Sequence, residues 1–208
     1  MLPAFASQLS SAARLSIVGF VGHGIFLASA NNSIVGNYIG IRTDGVTALG
    51  IGGSGVMIQG TAGTTIGGTT ASLRNVISAN SGHGVLINGA ASNNVVMGNY
   101  IGTDASGQVN LSNTSTWTVT VDADSPNNRV EGNVIVGGSH AGVVIFDAGS
   151  SYNQVVGNFI GLDASGTVAL GNAGVLTNQP FNKIGGTTAK ERNVINGGVS
   201  IALGATDN

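Results

Sequence analysis

The chain is patterned in short runs in which aliphatic and polar residues alternate, such as Gly-Val-x-Ile and Asn-x-Val-x-Gly-Asn-x-Ile. Alternation over so few residues is typical of short strands with one buried face. No segment of useful length shows the 3.6-residue spacing of an amphipathic helix. The pattern therefore predicts an all-β fold built from short strands.

The same runs return with a period close to 60 residues. The sequence Gly-Asn-aromatic-Ile-Gly begins at Gly36, Gly98 and Gly157, with spacings of 62 and 59 residues. Each period divides into two units, each predicted to contain three strands. Six units align from first strands that begin at Gly24, Gly55, Gly84, Thr118, Gly142 and Gly174, and a seventh begins at Gly198.

Alignment of the units produces columns of similar residues. One column is Asn in all six units: Asn37, Asn75, Asn99, Asn133, Asn158 and Asn193. A second polar column is Asn32, Thr64, Asn94, Asn128, Asn153 and Asn182. Two aliphatic columns are Ile34, Ile66, Val96, Val130, Val155, Ile184 and Ile39, Ile77, Ile101, Ile135, Ile160, Ile195.

Columns of this kind are expected when units stack about 4.8 Å apart. The aliphatic columns would then fill the interior, and each Asn would bond to the Asn above and below it. We therefore expect a parallel β-helix (β-solenoid) with three short strands per turn and about six to seven turns. Residues 14–208 would form this single repeat domain, interrupted at its C-terminal end. Residues 1–13 would be a cap or residual coil, and because they lack Lys and Arg they do not read as a signal peptide.

The amino-acid composition argues against several classes of function. The 208 residues include no Cys and only 7 Lys and Arg, with a formal net charge of −2. These values argue against a disulfide framework, a thiolate metal site and a nucleic-acid partner. No apolar run approaches the length of a membrane span.

Two longer motifs resemble a known family. The segment Gly157–Asn172 and the words Ile-Gly-Gly-Thr-Thr and Arg-Asn-Val-Ile, within 66–77 and 184–195, resemble the right-handed parallel β-helix repeat proteins of bacterial surface or secreted type, which are pectin-lyase-like in shape. The resemblance implies a right-handed coil and an extracellular or cell-surface location. It also implies a non-enzymatic structural or adhesive module, with polysaccharide, a surface protein or its own copies as partner. A polysaccharide lyase or glycoside hydrolase is the enzymatic alternative, and a fibre-forming or ice-binding solenoid is a third.

Three carboxylates break the repeat just after the first strand of neighbouring units: Asp122, Asp124 and Asp147. Carboxylates on adjacent turns can shift one another's pKa and so provide an acid and a base. Trp117 lies nearby in the sequence and would stack a sugar. These are the catalytic candidates of the enzymatic alternative. Ca²⁺ is expected only if the protein is a lyase, and otherwise no cofactor or metal is predicted.

An aromatic column offers a different kind of site. Tyr38, Tyr100 and Phe159 should point outward beside the buried Ile column, on alternate turns. They would form a track for stacking sugars, or else the long loop that follows each of them would cover it. The loop acids Asp44, Asp104 and Asp163 follow within six residues, and an Asp-x-x-Gly loop, such as those at Asp104 and Asp163, usually closes on its own backbone.

The remaining candidates favour structural roles. His23 and His83 each stand inside Gly-His-Gly, and Arg14, Arg74 and Arg192 are expected to anchor loops. The outer face of the first sheet would carry an apolar stripe suited to self-association: Phe26, Met57, Leu86, Thr120, Val144, Leu176 and Ser200. Ice binding would require a flat threonine array, which Thr118 and Thr120 alone suggest.

Overall fold

The computed structural model describes residues 15–171 and 173–202. The predicted N-terminal segment 1–13, Arg14 and the last six residues lie outside this part of the chain. Within it, twenty strands form three parallel sheets, named here first, second and third in the order that one turn visits them.

The strands are numbered along the chain. The first sheet contains β2 (Ile25–Leu27), β5 (Val56–Gln59), β8 (Val85–Asn88), β11 (Trp117–Val121), β14 (Ala141–Ile145), β17 (Val175–Thr177) and β20 (Val199–Ile201). The second contains β3 (Ser33–Ile34), β6 (Thr65–Gly67), β9 (Val95–Met97), β12 (Arg129–Glu131), β15 (Gln154–Val156) and β18 (Lys183–Ile184). The third contains β1 (Ser16–Ile17), β4 (Tyr38–Ile39), β7 (Val76–Ile77), β10 (Tyr100–Ile101), β13 (Val134–Ile135), β16 (Phe159–Ile160) and β19 (Val194–Ile195). A single 3₁₀ turn spans Ala189–Glu191 among the described residues.

Every strand pairs with the strand three places before or after it in the chain, and every pairing is parallel. Since the chain returns to the same sheet with every third strand, each set of three strands makes one turn of a coil. This confirms the predicted parallel β-helix with three short strands per turn.

The core is made of the predicted aliphatic columns. Register pairs Ile39 with Ile77 and Ile77 with Ile101, and all three side chains are fully buried. The inward residues of the first and second sheets complete one continuous hydrophobic cluster along the axis. Because a single turn of two- to five-residue strands buries little apolar surface, this stacking provides most of the hydrophobic stabilisation.

A buried asparagine ladder runs beside the core at the bend before the third sheet. The Nδ2 of Asn75 donates to the Oδ1 of Asn99 at 2.9 Å, and Asn99 donates in turn to Asn133 at 3.1 Å. The bonds continue in one direction over all six predicted members, from Asn37 to Asn193. Each amide also holds a backbone carbonyl, such as that of Ile66 for Asn99. The ladder therefore satisfies backbone groups that the tight bend would otherwise leave unpaired.

The second polar column is a ladder over five of its six predicted members. Bonds to side-chain oxygens join Thr64, Asn94, Asn128, Asn153 and Asn182 in sequence. Asn32 is the exception, because its Nδ2 turns back to Ser29 within its own corner. A third, short ladder joins Asn80 to Asn113 at 2.9 Å.

The outer stripe of the first sheet is less open than its sequence indicates. Thr120 and Val144 point away from the core and yet are fully buried, whereas Phe26 remains 36% exposed. Thr118 points inward, where its hydroxyl donates to the carbonyl of Val136. Neither threonine is accessible to an ice surface.

Candidate functional site

The long loops after the third sheet form a roof over its outer face. Loops 41–48, 103–110 and 162–169 are each closed by an antiparallel bridge between their end residues. They also bond to one another, since the amide of Ala105 donates to the carbonyl of Gly45 at 2.8 Å and the next pair of loops repeats this bond. The loops thus make a continuous layer although they arise on alternate turns.

The roof covers the aromatic column. Tyr38 is only 4% exposed, and Tyr100 and Phe159 are half-buried. A Cβ added to Gly107 would lie 2.8 Å from the Tyr100 ring, so the loop backbone is in direct contact with that ring. On its other side the guanidinium of Arg74 lies 4.0 Å from the ring centroid, while its Nε donates to the carbonyl of Gly98. The column is an interior layer under the roof, which is the covered arrangement and not the open track.

The loop acids hold the loops of the roof in shape by hydrogen bonds within each loop. Asp104 is 4% exposed and accepts bonds from the hydroxyl of Ser106 and the amides of Gln108 and Val109. Burial acts to raise the pKa of Asp104, but these hydrogen bonds outweigh it and lower the pKa below its usual value. In the exposed first loop, the hydroxyl and amide of Thr47 lower the pKa of Asp44 to about 2. Asp163 repeats the arrangement with Ser165, whose hydroxyl leads the bonds that lower its pKa.

A second group of aromatic rings lies on the outer face of the first sheet. The indole of Trp117 stacks on His83, with ring centroids 6.2 Å apart, and contacts the edge of Phe146 at 5.1 Å. The Nδ1 of His83 lies 3.1 Å from the hydroxyl of Thr120. The three rings are named here the outer aromatic cluster, and within it His83 covers Thr120. The three rings of the cluster are half-buried.

Of the three candidate carboxylates, Asp122 lies near enough to Asp147 and His83 for their charges to act on it. Burial raises the pKa of Asp122, the nearby charge of Asp147 raises it further, and His83 acts in the opposite direction. One carboxylate oxygen of Asp122 is buried without a hydrogen-bond partner. Asp124 is turned away, since it lies across Gly149, where an added Cβ would come within 1.7 Å of its Oδ1. The structure thus brings together Asp122, Asp147 and His83, a histidine that the sequence had assigned to turn chemistry.

The carboxylates do not line the nearby cleft on the same sheet. That cleft has a volume of about 220 Å³ and is lined by residues from the last three turns, including His140, Leu176 and Ser200. Asp122 instead emerges beside aromatic side chains on an open face. The described residues contain no group of three or more His, Asp or Glu placed to share a metal ion.

Sequence reasoning missed one aromatic pair. Tyr152 and Phe181 stack with ring centroids 5.1 Å apart and planes inclined by 6°, and both are exposed. They stand one residue before Asn153 and Asn182, at a column that is Asn or Gly in the earlier turns. That break in an otherwise regular column is the signal by which the pair could have been found.

Comparison of the chain with protein-family models, curated proteins and solved structures gives no match. In the part of the chain that the structure describes, no helix is long and apolar enough to cross a bilayer. The interpretation of the chain therefore depends on its own geometry.

Proposed function

We propose that the chain is a non-enzymatic repeat module of a secreted or cell-surface protein, a rigid scaffold whose outer surface adheres to polysaccharide. The observation that carries the proposal is that the repeated polar groups are used within the fold. Amides occupy ladders, and the three loop acids bond within their own loops. What remains open is an unrepeated aromatic surface on a stiff support.

The resemblance to pectin-lyase-like β-helix repeat proteins contributes the proposed location and the class of partner. A stiff support favours adhesion because little conformational entropy is lost when it binds. The outer aromatic cluster supplies half-exposed rings, and flat rings are suited to the apolar faces of sugars. The function needs no cofactor.

A panel of insoluble and soluble polysaccharides tests the proposal. Pull-down measures binding, while new reducing ends and absorbance at 235 nm measure hydrolysis and lyase cleavage. We expect binding without cleavage, and weaker binding in Trp117→Ala with an unchanged melting temperature. Cleavage by the parent chain, or failure to bind any polysaccharide, would contradict the proposal.

One observation favours the enzymatic alternative, a polysaccharide lyase or glycoside hydrolase. A raised pKa at Asp122 beside Asp147 is the combination that an acid–base pair requires. If the pair is catalytic, the parent protein cleaves a polysaccharide and Asp122→Asn or Asp147→Asn abolishes that cleavage. Asp124→Asn is the matched control, because Asp124 lies across Gly149 and away from the pair.

A further inference from the structure

The corner between the first and second sheets contains several residues in the left-handed backbone region, and one of them lies at the same position in every described turn. This residue immediately precedes the second asparagine column, and its φ lies between 56° and 73° in six successive turns. The residues are Asn31, Gly63, Asn93, Asn127, Tyr152 and Phe181. Asn and Gly tolerate this conformation, whereas in a bulky aromatic residue it is strained.

Burial does not compensate the strain at the two aromatic positions. Tyr152 is 56% exposed and Phe181 is 43% exposed. Among the described residues, the two rings stack on each other, at 5.1 Å between centroids, and on no other ring. Strained residues persist where the surrounding structure holds them, and they are found preferentially at binding sites.

The second asparagine ladder fixes the backbone next to both rings. The residue after Tyr152 is Asn153, whose backbone amide donates to the Oδ1 of Asn182 at 2.8 Å. Asn182 follows Phe181, so the ladder bond joins the two positions directly and sets the rings one turn apart. The pair is therefore pre-organised, and a ligand would not have to order it on binding.

The chemistry around the pair points to a neutral ligand. Residues 148–154 and 178–182 carry amides and hydroxyls but no Lys, Arg, Asp or Glu. The charges next to them are opposite in sign, Asp147 and Lys183, and Lys183 is paired with Glu191. Two aromatic side chains bury about 150–250 Å² each, well below the roughly 1,200 Å² of a stable protein interface. A single sugar ring fits this scale, with its apolar face on an aromatic ring and its hydroxyls toward the amides.

We propose that Tyr152 and Phe181 form a platform that binds neutral polysaccharide by stacking on a sugar ring. The proposal rests on the adhesive function above and places its main contact outside the outer aromatic cluster. It also accounts for two aromatic residues at positions that the fold fills elsewhere with Asn or Gly.

Affinity electrophoresis of the full chain tests the platform, using laminarin, xyloglucan and galactomannan as neutral probes and polygalacturonate as the charged comparator. The test variants are Tyr152→Asn and Phe181→Asn, which restore the residue found at Asn93 and Asn127. We expect either variant to weaken binding of a neutral probe at least tenfold, with a melting temperature that is unchanged or higher. Polygalacturonate should bind at least tenfold more weakly than that probe.

Several outcomes would overturn the platform. They are no binding of any neutral probe, equal binding by parent and variants, or a lower melting temperature with binding unchanged, which would make the rings structural. Reduced self-association of the variants in sedimentation, without a change in probe binding, would show an interface between copies. Trp117→Ala separates the two proposals. Binding lost only in that variant retains adhesion and rejects the platform, whereas cleavage of a probe rejects the non-enzymatic function itself.

Discussion

Aromatic rings and carboxylates occur on two sides of this solenoid, and the two sides differ in how regularly these residues repeat and in what covers them. On the third sheet they recur every second turn, and the roof of loops 41–48, 103–110 and 162–169 covers them. At the corner that follows the first sheet, Asp122 and Phe146 have no counterpart of their own kind on the other described turns, Tyr152 has one in Phe181, and all of them remain at least partly open to solvent. Residues repeated in register have neighbours of their own kind and become part of the fold. Residues that break the register are the ones left available for a partner.

The largest loss of stability is expected when a ring under the roof is removed. Tyr38→Ala should destabilise the protein by about 3–5 kcal/mol, since it empties a buried site between the sheet and its loop. Urea denaturation measures the change, with Tyr152→Asn as the matched control at the open corner. Equal losses of unfolding free energy in the two variants would show that covered and open rings stabilise the protein equally, which would contradict this contrast.

Next in size is a break in the ladder. Asn99→Ala should cost about 1–3 kcal/mol, because it removes bonds to Asn133 and to the carbonyl of Ile66 inside a buried bend. Asn93→Gly is the control, since Asn93 is exposed and glycine adopts its left-handed backbone readily. If Asn99→Ala denatures like the parent, the ladder is not a source of stability.

The roof acids should stabilise the protein in a pH-dependent way. Asp104→Ala should cost about 1–2 kcal/mol at pH 7, where the carboxylate holds its loop. The folded-state pKa of Asp104 lies below the value near 3.8 expected when unfolded, so this stabilisation is complete above that value and is lost as pH falls through the folded pKa. Denaturation at several pH values checks this. A difference between parent and variant that persisted well below the folded pKa would contradict it.

Asp122 should show the smallest effect, with the opposite sign. Its raised pKa means that the folded state favours the protonated form, and that this stability is lost as pH rises through the folded pKa. Asp122→Asn should therefore raise stability at pH 7 by up to about 1 kcal/mol and make no difference near pH 3, where both side chains are neutral. Thermal melts at the two pH values decide the point. A loss of stability at pH 7 would show that the ionised carboxylate has a partner that stabilises it.

Much of the fold could be predicted from the sequence because a stack of turns converts spacing directly into position. Ile39, Ile77 and Ile101 pair where the alignment places them, and the Asn37-to-Asn193 ladder is complete. The ladder between Asn80 and Asn113 was not predicted, because those residues lie in loops of different length and only the strands were aligned. Asn32 was predicted to join the ladder, but its side chain bonds to Ser29 within its own corner instead.

The candidate site was harder to predict, because it depends on what covers each side chain. Alternation correctly turned Thr120 and Val144 outward, but it could not show that both are buried or that His83 from the preceding turn contacts Thr120. Alignment of the units likewise placed Asp124 and Asp147 after the first strands of neighbouring turns, without showing that Asp124 lies across Gly149. Tyr152 and Phe181 followed no hydrophobic pattern, and only the chemistry of their column marks them as unusual.

The asparagine ladders have a direction. From Asn37 to Asn158 each side-chain amide donates to the asparagine of the next turn, and in the second ladder the backbone amides donate in the same direction, as that of Asn153 does to Asn182. Aligned amide dipoles add and polarise one another, much as peptide dipoles do along a helix. The solenoid is therefore an electrically polar rod, with a dipole moment that grows by one increment for each turn in the stack. Duplication or deletion of whole turns would change the length of this rod but leave its polarity unaltered.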